Sequence, residues 1–466
     1  MMLSRRSLVA GTAAMALSGG TAARGTTDRV DVIIAGAGIA GLHAARLLAA
    51  EGAKVAVLEA ADAVGGRLKT LEHLPGKPEA GGQTIDAMYA RVLREIAALD
   101  LATMPRIDPV PGDSIAAGGS VIPASAWATS PANRVPGPAR ALLPGRLYAH
   151  FLDAANPVAA LDQWQLPEHA GLDAIGVSTL LRRGGADDEA LRLIQHSFDG
   201  PALSGMSALF ACRKRLVQTI GAAAAVRVRG GSQSLPRAMA ASLGDAVQIG
   251  ARVTAIVQDA SGVEMRTADG RRFQGRFGLC AVPFPALRRI TLDPLPDPAF
   301  RRAVATLPYS AIIMVTLVVD RAFWESDGLP PAMYVDGPLQ RITSAAGQGG
   351  GLPTISCWLR GSSAARVAPL RDADISGWVI AELARLRPAT KGAVSAGAVT
   401  RWNDASAAGG AYHYFAPGQT APLFSAMRQP WGRVRFAGEH LADLQQGMEG
   451  ACEAAEREAL ALLALL

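Results

Sequence analysis

Apolar and polar positions alternate in distinct rhythms along this chain, and each change of rhythm marks an element. Val32, Ile33 and Ile34 form a short unbroken apolar run. Such a run predicts a strand covered on both faces, as in a parallel sheet. Immediately afterwards Leu42, Ala45, Leu48 and Ala49 recur at helical spacing, and a second strand is predicted over Lys54 to Leu58. A helix opens at Gly230 to Pro236, followed by two alternating segments, Val247 to Val257 and Gly262 to Thr267, with a turn at Asp269 and Gly270. Ile312 to Val319 reads as a further strand, Val434 to Ala437 as the last, and a helix begins at Gly447. Between about 90 and 220, helical patterns alternate with loops rich in Pro and Gly, such as VPGPARALLPG at 135–145, so helices are expected there. No internal repeat is visible.

The first 25 residues, MMLSRRSLVAGTAAMALSGGTAARG, obey a different logic. Arg5 and Arg6 precede a ten-residue apolar run from Leu8 to Leu17, and small residues at 20–23 offer a cleavage site. Ten residues are too few to cross about 30 Å of hydrocarbon. Ser4, Arg5, Arg6 and Leu8 resemble a twin-arginine signal, an address read by the Tat export machinery rather than an anchor. A periplasmic or otherwise exported protein is therefore expected, with no stable membrane span elsewhere.

Composition narrows the function classes. Of 466 residues half are hydrophobic and 18% charged, which suits a large folded core. The net charge of +6 is spread thinly, and the densest basic cluster, Arg213-Lys214-Arg215, reads as a solvated face, so no nucleic-acid partner is expected. Cys212, Cys280, Cys357 and Cys452 show no metal-ligand spacing, and the seven histidines form no HxH or HExxH pattern, so no metal site is expected. An oxidising compartment would permit a disulfide, although Cys280 and Cys452 sit in apolar surroundings that suit buried thiols.

The chemistry begins at Gly36, Gly38 and Gly41, a G-x-G-x-x-G turn with Ile39 and Ala40 inside it, set between the first strand and its helix. Gly36 permits the tight turn, Gly38 admits a pyrophosphate, and Gly41 lets helix and strand pack closely. A phosphate then sits at the helix N-terminus, and Glu59, followed by Ala60, is placed to accept hydrogen bonds from a ribose. This fingerprint alone leaves NAD and FAD both open.

Four further segments discriminate between them. Gly65-Gly66-Arg67 resembles the second nucleotide-contacting motif of the flavin amine oxidase family, and Gly81-Gly82-Gln83 its segment beside the flavin. Ala251-Arg252-Val253-Thr254 resembles the strand whose valine meets the adenine, here Val253. RVRFAGEHLADLQQGMEGACEAAERE, residues 433–458, resembles the segment that closes the FAD site, which assigns Gly438, Glu439 and Met448 to the cofactor. The chain is thus identified as a member of that family, which includes monoamine oxidases and L-amino-acid oxidases, across residues 30–465 with a looser middle third. The resemblance implies an α/β fold, a Rossmann-like FAD-binding domain interleaved with an α+β substrate domain of mixed sheet and helices. The expected division is 30–88 with 228–288 and 430–466 for FAD, and 89–227 with 289–429 for substrate.

Departures from the family pattern carry further expectations. The position where monoamine oxidases hold a flavin-bound cysteine is Ala411, so FAD should be non-covalent. Tyr412 matches one aromatic wall of the amine site and is expected to position substrate, whereas the other wall falls at Gly447, beside Gln446. Many members carry a lysine on the strand 312–319 that assists reaction with oxygen; its place is taken by Met314. That change suggests a cytochrome or quinone as electron acceptor, the alternative being that Met314 is ordinary core packing and oxygen is handled elsewhere. No arginine matches the carboxylate clamp of L-amino-acid oxidases; Arg91 reads as structural, which favours a plain amine. His440 is expected to make a supporting hydrogen bond. The expected activity is FAD-dependent oxidation of an amine by hydride transfer, giving an imine that hydrolyses. The alternatives are a flavin desaturase or isomerase, or an exported FAD-binding protein without turnover.

Overall fold

The computed structural model describes residues 29–105, 112–198, 200–220, 225–347, 351–404 and 408–466. The twin-arginine stretch at 1–25 lies outside them. Val30–Ala35 sits inside an eight-stranded sheet, parallel to Arg272–Cys280 on one side and to Val55–Leu58 on the other. Val32, Ile33 and Ile34 are fully buried, as an unbroken apolar run requires. Val253–Gln258 and Val263–Thr267 extend the sheet antiparallel, and Val434–Phe436 adds to Arg272–Cys280, so both ends of the chain build one sheet. Thr291–Asp293 also joins it, pairing with Val253–Gln258 just past the expected boundary at 288.

The helix Ile39–Ala50 packs along the final helix, Gly447–Leu463. Ala44, Ala45, Ala451 and Ala455 are buried in one apolar cluster with Leu42 and Leu48. Each of those fully buried leucines contributes about 1.5–3 kcal/mol. A buried network ties in a third helix, Ala90–Ala98: His43 Nδ1 lies 2.7 Å from Glu95 Oε1, and Arg46 Nε donates to Glu95 Oε2 at 2.8 Å.

A second, seven-stranded sheet runs in the order Val394–Arg401, Ile312–Val319, Thr354–Arg360, Arg341–Ala345, Met333–Val335, Ser114–Ala117 and Ser120–Pro123. Alternation along Ile312–Val319 divides its side chains. Ile313, Val315 and Leu317 pack with Ile375, Val379 and Leu383 of the helix Asp372–Leu386, while Ile312 and Met314 join Leu71, Ala80, Trp402 and Ala411. The 114–123 hairpin departs from the helices expected across 90–220. Gly118 and Gly119, both at positive φ, make the two-residue connection that such hairpins favour. The remaining long elements of that stretch are helices, among them Pro144–Ala155, Asp188–Ser197 and Ala208–Ile220. All four cysteines are buried and unpaired, so no disulfide forms. Among the described residues no helix is long and apolar enough to cross a membrane.

Candidate functional site

A cavity of about 1130 Å³ is lined by residues of both sheets and by the start of the helix Gly447–Leu463. It exceeds the roughly 300–1,000 Å³ of ordinary small-ligand sites, leaving room for a dinucleotide and a substrate together. Its first end is built by the glycine turn. Gly36 has φ +99°, and a Cβ there would lie 3.2 Å from the Ala281 carbonyl oxygen. Gly38 caps the helix Ile39–Ala50, and a Cβ on it would meet nothing within 4 Å. Its open side is the cavity itself, the space a diphosphate needs. Gly41 does not line the cavity; a Cβ on it would lie 1.9 Å from the Gly36 carbonyl oxygen, so its place in the motif serves helix packing and not ligand contact.

Ile39 and Ala40, in the first helical turn, face the cavity with their amides at the positive end of the helix dipole. Glu59 lies beyond the end of its strand, and its carboxylate accepts hydrogen bonds from the Ala37 and Ala61 amides at 2.7 and 2.9 Å. The lining continues with Ala60 and Val253, and with Arg252 and Arg289, which sequence reasoning did not single out.

The middle of the cavity is a buried charge cluster. Arg67 Nη1 donates to Glu439 Oε1 at 3.0 Å, and His413 Nδ1 lies 2.9 Å from Glu439 Oε2. Burial alone would raise the Glu439 carboxyl, but the paired His413 and Arg67 outweigh it and hold the group well below the usual carboxylate range. The same pairing keeps the Arg67 guanidinium charged against its own burial. His440 behaves differently: burial pushes it down to about 3, so the ring is neutral, and neither ring nitrogen has a partner among the described residues. A buried imidazole on a cavity wall with both nitrogens unsatisfied suits a polar ligand; the supporting hydrogen bond expected of it is not made to the protein. Gly66 at φ +56° and Gly438 at φ +142° bring backbone to the cavity wall on either side.

At the far end Gly82, Gln83, Gly447 and Met448 meet Tyr412, Tyr89, Trp358 and Trp402. Tyr412 is 42% exposed, and the Lys214 ammonium lies 5.8 Å from its ring centre. The Trp402 indole is fixed by a 2.8 Å bond to the Ala80 carbonyl. The loop before Gly447 is held by Arg213, which donates to the carbonyls of Ala442, Asp443 and Gln445 at 2.8–3.3 Å. Arg213 is therefore not part of a solvated basic face: it is buried, and burial pushes its guanidinium down to about 10. Met314 likewise does not reach the cavity. It is fully buried against Ile312, Trp402 and Ala411, which themselves line the wall. Arg91 bonds Glu449 and Glu456, in keeping with a structural role. Tyr89, His413 and the two tryptophans escaped sequence reasoning because their partners lie far along the chain.

A family model described as flavin-containing amine oxidoreductase matches residues 39–463. The chain is 25% identical to flavin-containing amine oxidase A of Equus caballus, covering 93% of this chain and 85% of that one. Against flavin-containing amine oxidase B of Homo sapiens it is also 25% identical, over 94% and 86%. Among solved structures, a putrescine oxidase bound to putrescine superposes with a TM-score of 0.79 at 24% identity, covering 94% of this chain and all of that one. A cyclohexylamine oxidase from Brevibacterium oxydans gives 0.78 at 24%, over 94% and 99%. These last two likenesses are of fold. The matches favour neither a desaturase or isomerase nor a protein without turnover.

Proposed function

Because the chain belongs to the flavin-containing amine oxidoreductases, which use FAD to oxidise amines, we propose that FAD lies along the Gly38–Glu59 end of the cavity with the amine beside Tyr412. The observation that carries this reading is that the glycine cradle and the aromatic end are walls of one cavity. FAD would supply the hydride acceptor for the carbon bearing the amine nitrogen.

The chain's own residues do the rest. Glu59 would accept hydrogen bonds from ribose hydroxyls, and the first amides of the helix Ile39–Ala50 would hold the diphosphate. The unsatisfied nitrogens of His440 offer one acceptor and one donor to the cofactor. The N-terminus of Gly447–Leu463, with the Met448 amide, presents positive potential where negative charge develops. Ala411 faces the cavity with no atom able to bond the flavin, so the cofactor stays non-covalent. Tyr412 offers a ring face to the amine, and the tryptophans exclude water.

Two finer readings accompany it. Ile312, Trp402 and Ala411, which cover Met314, put no lysine on this stretch of wall, which supports a cytochrome or quinone over oxygen as acceptor. The paired arginines Arg5 and Arg6 support export through the twin-arginine route after FAD has been loaded. The deciding experiment is anaerobic: the FAD-loaded protein is mixed with a panel of amines and the flavin absorbance followed. Amine-dependent bleaching is expected; no bleaching with any amine refutes the reading.

A further inference from the structure

Two tyrosines border the aromatic end of the cavity, and only Tyr412 has so far been given work. Gly447 has φ +60°, a backbone state that disfavours a side chain, so the helix it opens leaves a gap in the wall. A Cβ built on Gly447 meets a single neighbour, the Tyr89 hydroxyl, at 3.4 Å. The phenol of Tyr89 thus stands where a side chain of residue 447 would point.

Its placement is tightly determined. Tyr89 caps the helix Ala90–Ala98, and Glu449, in the first turn of the facing helix, accepts from the Arg91 amide at 3.1 Å and the Val92 amide at 3.1 Å. Arg91 Nη1 adds a 3.1 Å bond to the same carboxylate, and Arg91 and Arg94 both pair with Glu456. One carboxylate therefore staples two helix N-termini together, with Tyr89 at one and Gly447 at the other. The Tyr89 amide is bonded to the Asp86 carbonyl at 3.1 Å. Burial, and then the neighbouring Asp86, Tyr412 and Glu449, raise the Tyr89 phenol above its ordinary value, with no hydrogen bond contributing. At neutral pH it is a protonated hydroxyl with lone pairs to offer.

On the amine reading above, we propose that Tyr89 is the specificity-determining wall opposite Tyr412, its oxygen accepting a hydrogen bond from the substrate N–H, so that primary and secondary amines are preferred to tertiary ones. Hydride loss from the carbon needs the nitrogen lone pair free, so the reacting amine is neutral and its N–H is the only donor it brings. A tertiary amine brings none and leaves the half-buried phenol oxygen unmatched. A site that hydrogen-bonds a substrate group discriminates against analogues lacking it. One neutral hydrogen bond is worth roughly 3–10-fold.

The test uses FAD-loaded protein and anaerobic stopped-flow reduction by benzylamine, hexylamine and cyclohexylamine, each as the primary, N-methyl and N,N-dimethyl compound. Tyr89→Phe should lower the primary-to-tertiary ratio of reduction efficiency about 3–10-fold while leaving FAD affinity and thermal midpoint unchanged. Tyr89→Trp, whose indole donates but does not accept, should behave alike. A loss shared equally by all three methylation states, or none, overturns the inference while the amine reading stands. Failure of every compound to reduce the unaltered protein's flavin overturns both.

Discussion

Two glycines of one motif should respond in opposite ways to the same added methyl. Gly38 sits at φ −73° and ψ 175°, which alanine adopts freely, and its Cβ would meet nothing within 4 Å. Gly38→Ala should therefore cost the fold about 1 kcal/mol or less, the difference between glycine and alanine at a helix cap. Its methyl would instead occupy the space proposed for the diphosphate, and FAD affinity should fall at least about tenfold, or about 1.4 kcal/mol. Gly41 is the reverse case. Its Cβ would lie 1.9 Å from the Gly36 carbonyl oxygen, backbone that cannot swing aside.

The helix would have to retreat by roughly 1 Å, and overpacking of that kind costs about 1–3 kcal/mol, with more for backbone clashes. Thermal unfolding at a series of FAD concentrations separates the two effects. For Gly38→Ala the midpoint without added FAD should lie within about 4 °C of the parent's, while its rise with FAD starts at higher concentration. For Gly41→Ala the midpoint should drop throughout. Unaltered FAD affinity in Gly38→Ala would refute the placement of the diphosphate, and an unaltered midpoint in Gly41→Ala the packing argument.

Other expectations rest on the same geometry. Glu439→Gln leaves the half-buried Arg67 guanidinium without its countercharge and should cost about 1.5–3 kcal/mol in chemical denaturation. Since the folded state holds Glu439 below its ordinary value of 4.5, its contribution is full above that pH and lost as pH falls beneath it. The variant's stability should accordingly fall less steeply than the parent's from about pH 5 to about pH 3. Acid precipitation should release all the flavin into the supernatant; colour retained in the pellet would contradict the reading of Ala411. Reduced enzyme mixed with air should reoxidise slowly in stopped flow, and oxidase-like speed would sink the proposal of another acceptor. Replacing Arg5 and Arg6 together by lysine should leave the protein in the cytoplasm on fractionation of the expressing cells, and unchanged export would exclude the twin-arginine route.

Much of this was legible in the sequence where the physics is local. The apolar runs at Val32–Ile34 and Ile312–Val319 need only neighbours along the strand to declare themselves. The glycine fingerprint is likewise a backbone requirement confined to a few residues. The 114–123 hairpin was legible too, in Gly118-Gly119, but the surrounding helical patterns hid it. The wall of the site was another matter. Arg213 looked like one charge in a basic run because the carbonyls it serves, at 442–445, lie on another element. Met314 occupies the strand position expected, yet its neighbours Trp402 and Ala411 come between it and the cavity role assigned to it. Tyr89 could not be recognised, since what gives it meaning is a gap at Gly447 near the opposite end of the chain.

The four buried cysteines have a consequence for chemical endurance. Burial pushes the thiols of Cys212, Cys280 and Cys357 up to about 12, and Cys452 well above its ordinary value. Oxidants attack the thiolate, and at pH 7 a thiol of that kind is ionised to roughly one part in 10⁵. Any peroxide formed near the flavin would meet sulfur that is both shielded and unreactive. The same shielding keeps these thiols from forming mixed disulfides in an oxidising medium, so the folded enzyme should work there with its full complement of free cysteines.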